Sequence, residues 1–241
     1  MYGASYRAGH ERVIALVVDH ESDTIVPACP EWTTTDVVRH LAGISADLTN
    51  RVFDGFASDK WTATQVSSRR GLTLDEVITE WRTTIDGAVD VLDTIDAQGL
   101  ADQLNSVLGP IPPSVIPAMA VSDILHHEFD LRNAFGDTSG RDLIEVHVAA
   151  GGHVRSLRPI FAAMGLPTIR IEASNTGQTW GIGRDQPVAT ASASSFELLR
   201  GIGGRRTRDE MLAWDWDGDG EPFVDSMVLP HLGMRTASLR E

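Results

Sequence analysis

Asp123 and His127 stand four residues apart in the stretch from Ser122 to Leu131, which reads as helix. That spacing sends both side chains out of one helical face, about one turn apart. A carboxylate and an imidazole so placed can grip one metal ion, provided a further ligand arrives from another element. Without one, the pair reads as a plain hydrogen bond or as two solvated side chains. His40 is the candidate third donor. It lies three residues after Val37 and four before Ile44, on the stripe Val37, Leu41, Ile44 and Leu48, and therefore faces inward. Two inward imidazoles and an inward carboxylate need partners, because burying polar groups unsatisfied is costly. A shared ion would satisfy all three; hydrogen bonds within a packed core would be the alternative.

Two histidines and one carboxylate leave coordination positions open for water or substrate, as in catalytic zinc sites. The same set suits non-haem iron(II); zinc is the first choice, with iron or nickel as alternatives. A thiol bound to such an ion loses its proton and becomes a strong nucleophile at neutral pH. His126 points about 100° away from His127 on the helix and reads as a surface or packing residue.

Other candidates are weaker. Arg205 and Arg206 could clasp a substrate carboxylate, or form a solvated turn after a helix. Cys29 sits between helix and helix in a proline-flanked loop, has no base nearby in sequence, and reads as packing. The run Asp215 to Gly220 imitates a calcium loop, but its twelfth position is Ser226 rather than a bidentate Glu, so an acidic turn is expected. Gly201-Ile202-Gly203-Gly204 follows a helix rather than a strand and fails as a dinucleotide fingerprint. His10, His20, His147, His153 and His231 have no ligand partners at useful spacings.

The elements that must position these residues are mostly helical. A first helix is expected over about 5–20, with Val13, Ile14, Leu16, Val17 and Val18 as its apolar side. Pro27 and Pro30 force an extended connection. Thr34 or Thr35 then caps a second helix, with Asp36 in its first turn. A third opens at Thr73 with Glu76 three residues on, a capping-box pattern, and carries Val77, Trp81, Ile85, Ala88, Leu92 and Ile95. Prolines 110, 112, 113 and 117 mark the entry to the fourth, whose inward face is Ile116, Ala120, Asp123, His127, Leu131 and Ala134 before Gly136 ends it. A fifth spans about 142–164. Long helices with polar connections argue for a bundle. After Gly165-Leu166-Pro167 the pattern alternates, with strands expected at 169–173, 179–183 and 187–191 and a helix capped by Ser194 or Ser195. The fold class expected is α+β: an up-down helical bundle over 1–165, then a small α+β domain over 166–241.

Composition narrows the partners. The chain has 241 residues, 34 acidic against 20 basic, for a net charge of −14. Such a surface repels phosphate backbones, so nucleic acid is not expected as a partner. No apolar run approaches the roughly 20 residues of a membrane span, and the N-terminus lacks the plan of a secretory signal. A cytoplasmic protein with no membrane partner is expected, a homodimer being left open. One cysteine excludes an intramolecular disulfide and any multi-cysteine zinc site.

Val26-Pro27-Ala28-Cys29-Pro30-Glu31-Trp32-Thr33, followed by Asp36-Val37-Val38-Arg39-His40-Leu41-Ala42-Gly43, resembles the N-terminal motif of the mycothiol-dependent maleylpyruvate isomerase family. That family belongs to the DinB-like group of metal-binding four-helix bundles. Its second motif, a carboxylate, three residues, His, two residues and Asp-Leu, is similar to Asp123, His127, Asp130 and Leu131. The C-terminal part is similar to the family's sterol-carrier-like domain through Thr179-Trp180, Pro187 to Thr190, and Gly203 to Arg206. The resemblance implies metal ligands at His40, Asp123 and His127, and mycothiol as a thiol cosubstrate. It implies a thiol-dependent isomerase or thiol transferase acting on a small electrophilic or unsaturated substrate. Asp130 would orient a ligand imidazole, or else cap the helix or pair with Arg132. One departure is that Asp123 stands where the family usually has Glu, one methylene longer. A non-catalytic module holding a metal and a small ligand is the rival reading.

Overall fold

The computed structural model describes residues 2–95 and 103–241. The chain divides into two compact units, Met1–Asp137 and Thr138–Glu241. Among the described residues no helix is long and apolar enough to cross a membrane.

The first unit is built on α1 (Tyr2–Val17), α2 (Thr34–Asn50), α4 (Leu74–Thr94) and α5 (Ile116–Phe135), with the shorter α3 (Asp59–Ser68) beside α2. Helix α1 begins and ends about three residues earlier than the apolar pattern suggests. Val18 consequently lies past its end and is exposed, while Tyr6, Val13, Ile14 and Val17 are buried. Direction follows from cross-helix pairs. Gly3, Arg7 and His10 of α1 meet Asp93, Asp86 and Trp81 of α4, so these two run antiparallel. Gly9 and Arg12 meet Ile124 and Glu128, so α1 and α5 run the same way. Ser45 and Thr49 of α2 meet Thr84 and Gly87, so α2 and α4 also run together. The helices therefore run up, down, down, up along the chain.

Caps fix where α2 and α4 begin. Thr33, rather than Thr34 or Thr35, caps α2: its hydroxyl accepts from the Asp36 N–H and the Asp36 carboxylate accepts from the Thr33 N–H. Thr34 and Thr35 are spent elsewhere, their hydroxyls donating to the Ser22 carbonyl at 2.6 and 2.8 Å. Thr73 and Glu76 form the capping box read from the sequence. The proline-flanked connection before α2 is a small hairpin of β1 (Ile25–Val26) and β2 (Cys29–Thr33). A second hairpin, β3 (Leu104–Ser106) with β4 (Gly109–Ile111), precedes α5 and was not expected. Gly136, in the left-handed region at φ 71°, ends α5.

The second unit starts with α6 (Ile144–Met164), whose packing partners are α7 (Ser195–Ile202) and β6 (Gln178–Ile182). The expected division at 165/166 followed the change from helical to alternating hydropathy. Contacts instead group this helix with the sheet that follows it. The sheet order is β6, β5 (Ile169–Ala173), β7 (Ala189–Ala193) and β8 (Asp215–Asp217), with β5 and β7 parallel and the outer pairs antiparallel. Ile169, Ile171 and Ala173 of β5 point inward in strict alternation. The run Asp215 to Asp217, expected as an acidic turn, is the edge strand β8, because the Trp216 indole N–H donates to the Met211 carbonyl and anchors the segment. Ser194 caps α7. The remaining helices are α8 (Arg208–Leu212) and α9 (Glu221–Val224).

Candidate metal centre

Helices α2 and α5 bring His40, Asp123 and His127 together. One donor atom from each lies within 4.8 Å of the others. His40 Nε2 stands 3.6 Å from Asp123 Oδ2, and His127 Nε2 stands 3.8 Å from Asp123 Oδ1. Two nitrogen or oxygen donors on a tetrahedral zinc stand roughly 3.3–3.4 Å apart, given bonds of about 2.0–2.1 Å. These two separations, which run to different oxygens of Asp123, exceed that by a few tenths of an ångström. Two nitrogens and a carboxylate are also the donor types zinc takes. The residues therefore fit a divalent ion, and the shorter side chain of Asp123 does not keep its oxygens away from either imidazole.

The imidazoles are buried, while the Asp123 side chain keeps 34% exposure. The cluster is thus closed on the histidine side and open beside the carboxylate. The two rings stand nearly edge to face, with centroids 5.0 Å apart and planes at 79°. The Trp32 ring lies 5.3 Å from His40 and 6.0 Å from His127, an aromatic wall contributed by β2.

A relay behind His40 was not legible in the sequence. Gln65 of α3, buried, presents Oε1 to His40 Nδ1 at 2.8 Å, while its Nε2 donates to Asp47 Oδ2 at 2.7 Å. Because the amide nitrogen is committed to a carboxylate, only the amide oxygen faces the ring. In the neutral imidazole the proton therefore sits on Nδ1, and the lone pair on Nε2 faces Asp123. Burial pushes the Asp47 carboxyl above its usual range, and the Gln65 hydrogen bond, Arg69 and His40 oppose that. Gly43 allows the contact: a Cβ there would meet Gln65 Cβ at 2.4 Å.

On its other side His127 faces Asp130 across a close approach that lacks hydrogen-bond geometry. Its Nδ1 lies 3.2 Å from Asp130 Oδ2, and Asp130 is fully buried. Cys29 Sγ stands 3.9 Å from the same oxygen. Cys29 therefore does have a base and a carboxylate beside it, supplied across the fold and not by its sequence neighbours. Arg132 pairs with the buried Glu128 and with Asp137, and Glu128 also takes Arg12 at 2.9 and 3.0 Å. His126 is buried and reads as packing.

Tyr6 was also missed. It is fully buried on α1, and among the described residues its hydroxyl has no hydrogen-bond partner. Burial and the negative charge of Asp123 both raise its phenol pKa, so the proton stays on oxygen. His10, one turn on, packs edge-on against Trp81 with centroids 4.7 Å apart. Burial, with Arg7 and Arg82, lowers its pKa to about 4.

Arg205 and Arg206 belong to the second unit, and Arg206 is no solvated turn. It is buried, gives Nε and Nη2 to the Glu197 carboxylate at 2.7 and 2.8 Å, and gives Nη1 to Glu241 at 2.8 Å. Burial opposes its charge but these pairs outweigh it, and its pKa rises. Arg205 is half-buried and donates to the Gly203 carbonyl.

The family model described as the mycothiol maleylpyruvate isomerase N-terminal domain matches residues 5–132. The chain belongs to that family. The match covers the bundle that carries His40, Asp123 and His127. Among solved structures, a mycothiol-dependent maleylpyruvate isomerase is similar at 13% identity and a TM-score of 0.60, over 85% of this chain and 88% of that one. A histidine-to-alanine mutant of a mycothiol-dependent maleylpyruvate isomerase is similar at 12% identity and a TM-score of 0.59, over 84% and 88%. At these identities the likeness is one of fold, and it extends over both units. No curated protein sequence matches the chain.

Proposed function

We propose that the chain is a metal-dependent enzyme that uses a low-molecular-weight thiol, mycothiol, on a small electrophilic or unsaturated substrate. The observation that carries this reading is the convergence of His40, Asp123 and His127 at a cluster open only beside the carboxylate. A divalent ion held there, zinc by preference, would acidify a thiol that reaches it and so supply a nucleophile at neutral pH.

The chain's own residues have separable roles. The Gln65 and Asp47 relay keeps the basic nitrogen of His40 aimed at Asp123. Asp130, 3.2 Å from His127 Nδ1, would accept a hydrogen bond from the ring and so orient it. Trp32 walls one side and limits water against the imidazoles. Tyr6 keeps its proton, so it adds no negative charge near Asp123. Addition of the thiol to a cis double bond followed by its departure would isomerise that bond, whereas retention of the thiol would give net transfer. Arg206 has its donors in ion pairs and is left out of the substrate site. The use of a low-molecular-weight thiol agrees with a reducing compartment, the cytoplasm.

Mass spectrometry of products from mycothiol and an electrophile panel that includes maleylpyruvate tests this reading. An isomerised product or thiol adduct is expected from the wild-type protein and not from His40→Ala. Neither product from the metal-loaded protein would overturn the enzyme reading in favour of a non-catalytic binding module.

A further inference from the structure

Behind His127 lies a second group of donors that the proposed activity does not use as ligands. Cys29 Sγ, Asp130 Oδ2 and a nitrogen of His127 all lie within 4.8 Å of one another. The nitrogen turned toward Asp130 is Nδ1, at 3.2 Å, and the sulfur is 3.9 Å from that same oxygen. On a tetrahedral zinc a nitrogen and an oxygen stand roughly 3.3 Å apart and a sulfur and an oxygen roughly 3.6 Å. Both separations are close to those of a loaded site. Asp130 is fully buried, His127 nearly so, and Cys29 half-buried, so an ion can enter beside the sulfur and be held by the other two. The hairpin of β1 and β2 brings the sulfur to α5, and the three-residue spacing of His127 and Asp130 puts both on the helix side that meets it.

We propose that Cys29, His127 and Asp130 form a second metal site, selective for thiophilic divalent cations such as zinc and cadmium. Binding replaces the thiol proton with the metal–sulfur bond and releases that proton to solvent. The donor set is softer than that of the His40 cluster, which has no sulfur, so cadmium prefers it. The two sites compete. A neutral imidazole has one lone-pair nitrogen, so an ion on Nδ1 of His127 sends the ring proton to Nε2 and withdraws that nitrogen from the His40 cluster. A thiophilic ion behind His127 is therefore an inhibitor that never touches the open side of the first site.

The site does not require an ion at the His40 cluster, so the two readings fail separately. The probe is cobalt(II), added to metal-stripped full-length protein, since sulfur ligation gives a near-ultraviolet charge-transfer band that nitrogen and oxygen ligands do not. His40→Ala removes a donor of the first site and keeps all three of the second. The band is expected in His40→Ala at about one cobalt per chain, and is expected to vanish in Cys29→Ser, whose circular dichroism should match wild type. Cadmium added afterwards should displace the cobalt and abolish the band. Absence of the band from His40→Ala would overturn the second site, whether or not wild type shows it. A band that survives in Cys29→Ser would equally overturn it, because that chain has no thiol.

Discussion

The amide of Gln65 decides which nitrogen of His40 is basic. With Nε2 of the amide held by Asp47, the oxygen alone faces the ring, and the lone pair of His40 is turned toward Asp123. Removing such an orienting partner typically costs 10–100-fold in metal affinity. Gln65→Leu is therefore expected to weaken zinc binding about 10–100-fold; competition against a chelator of known affinity measures it. Equal affinity in Gln65→Leu and wild type would remove the relay from the account. His40 itself was legible in the sequence, since a histidine on an apolar stripe needs a partner. Gln65, Asp47 and Tyr6 were not. Their significance comes from contacts between elements, and nothing in their own neighbourhoods marks it. The neighbours of Cys29 were not legible for the same reason, lying about one hundred residues away.

At the scale of elements, the site depends on how closely α3 approaches α2. Gly43 sits on α2 one turn beyond His40, and a Cβ there would overlap the Gln65 side chain at 2.4 Å, with Arg69 Nη1 at 3.0 Å. Forcing extra volume into packed contacts costs typically 1–3 kcal/mol. Gly43→Ala is expected to lower stability by about 1–3 kcal/mol and to weaken metal binding as well, because α3 can relieve the overlap only by carrying Gln65 away from His40. Urea unfolding and a metal titration on one preparation check the coupling; a stability loss with unchanged affinity would show that the relay tolerates the shift. Helix α3 was not read from the sequence because Trp61, Gln65 and Val66 leave too short and mixed a stripe to signal a period. The longer stripes of α2 and α4, and the capping box of α4, were legible. The cap of α2 was displaced by one residue because three threonines in a row offer the same chemistry, and tertiary contacts to Ser22 decide among them.

For the whole molecule, each unit buries a neutral histidine whose pKa is lowered to about 4, His10 in the first and His153 in the second. Burial is the largest cause for both, with Arg7 and Arg82 adding to it at His10, and Arg205 and His231 at His153. A histidine unfolded near pH 6.5 binds a proton that the folded state refuses until about pH 4. The stability these groups contribute is complete above pH 6.5 and declines as pH falls toward 4. Denaturant midpoints are thus expected to drop across that window, and less steeply in His10→Phe; an unchanged slope would show that His10 takes no part. The α+β class and the strands of the second unit were legible from the change in hydropathic period after residue 165. The grouping of α6 with that sheet was not, because helical periodicity says that a face is buried and not which neighbour buries it.

On the proposed reading His40, Asp123 and His127 hold one divalent ion. Calorimetric titration of tag-free, metal-stripped Cys29→Ser with zinc tests it most directly, since among the described residues that background leaves the His40 cluster as the three-donor group. One zinc per chain is predicted, lost when His40→Ala is added to the same background. Equal zinc binding by the two proteins, or none by either, would contradict the account.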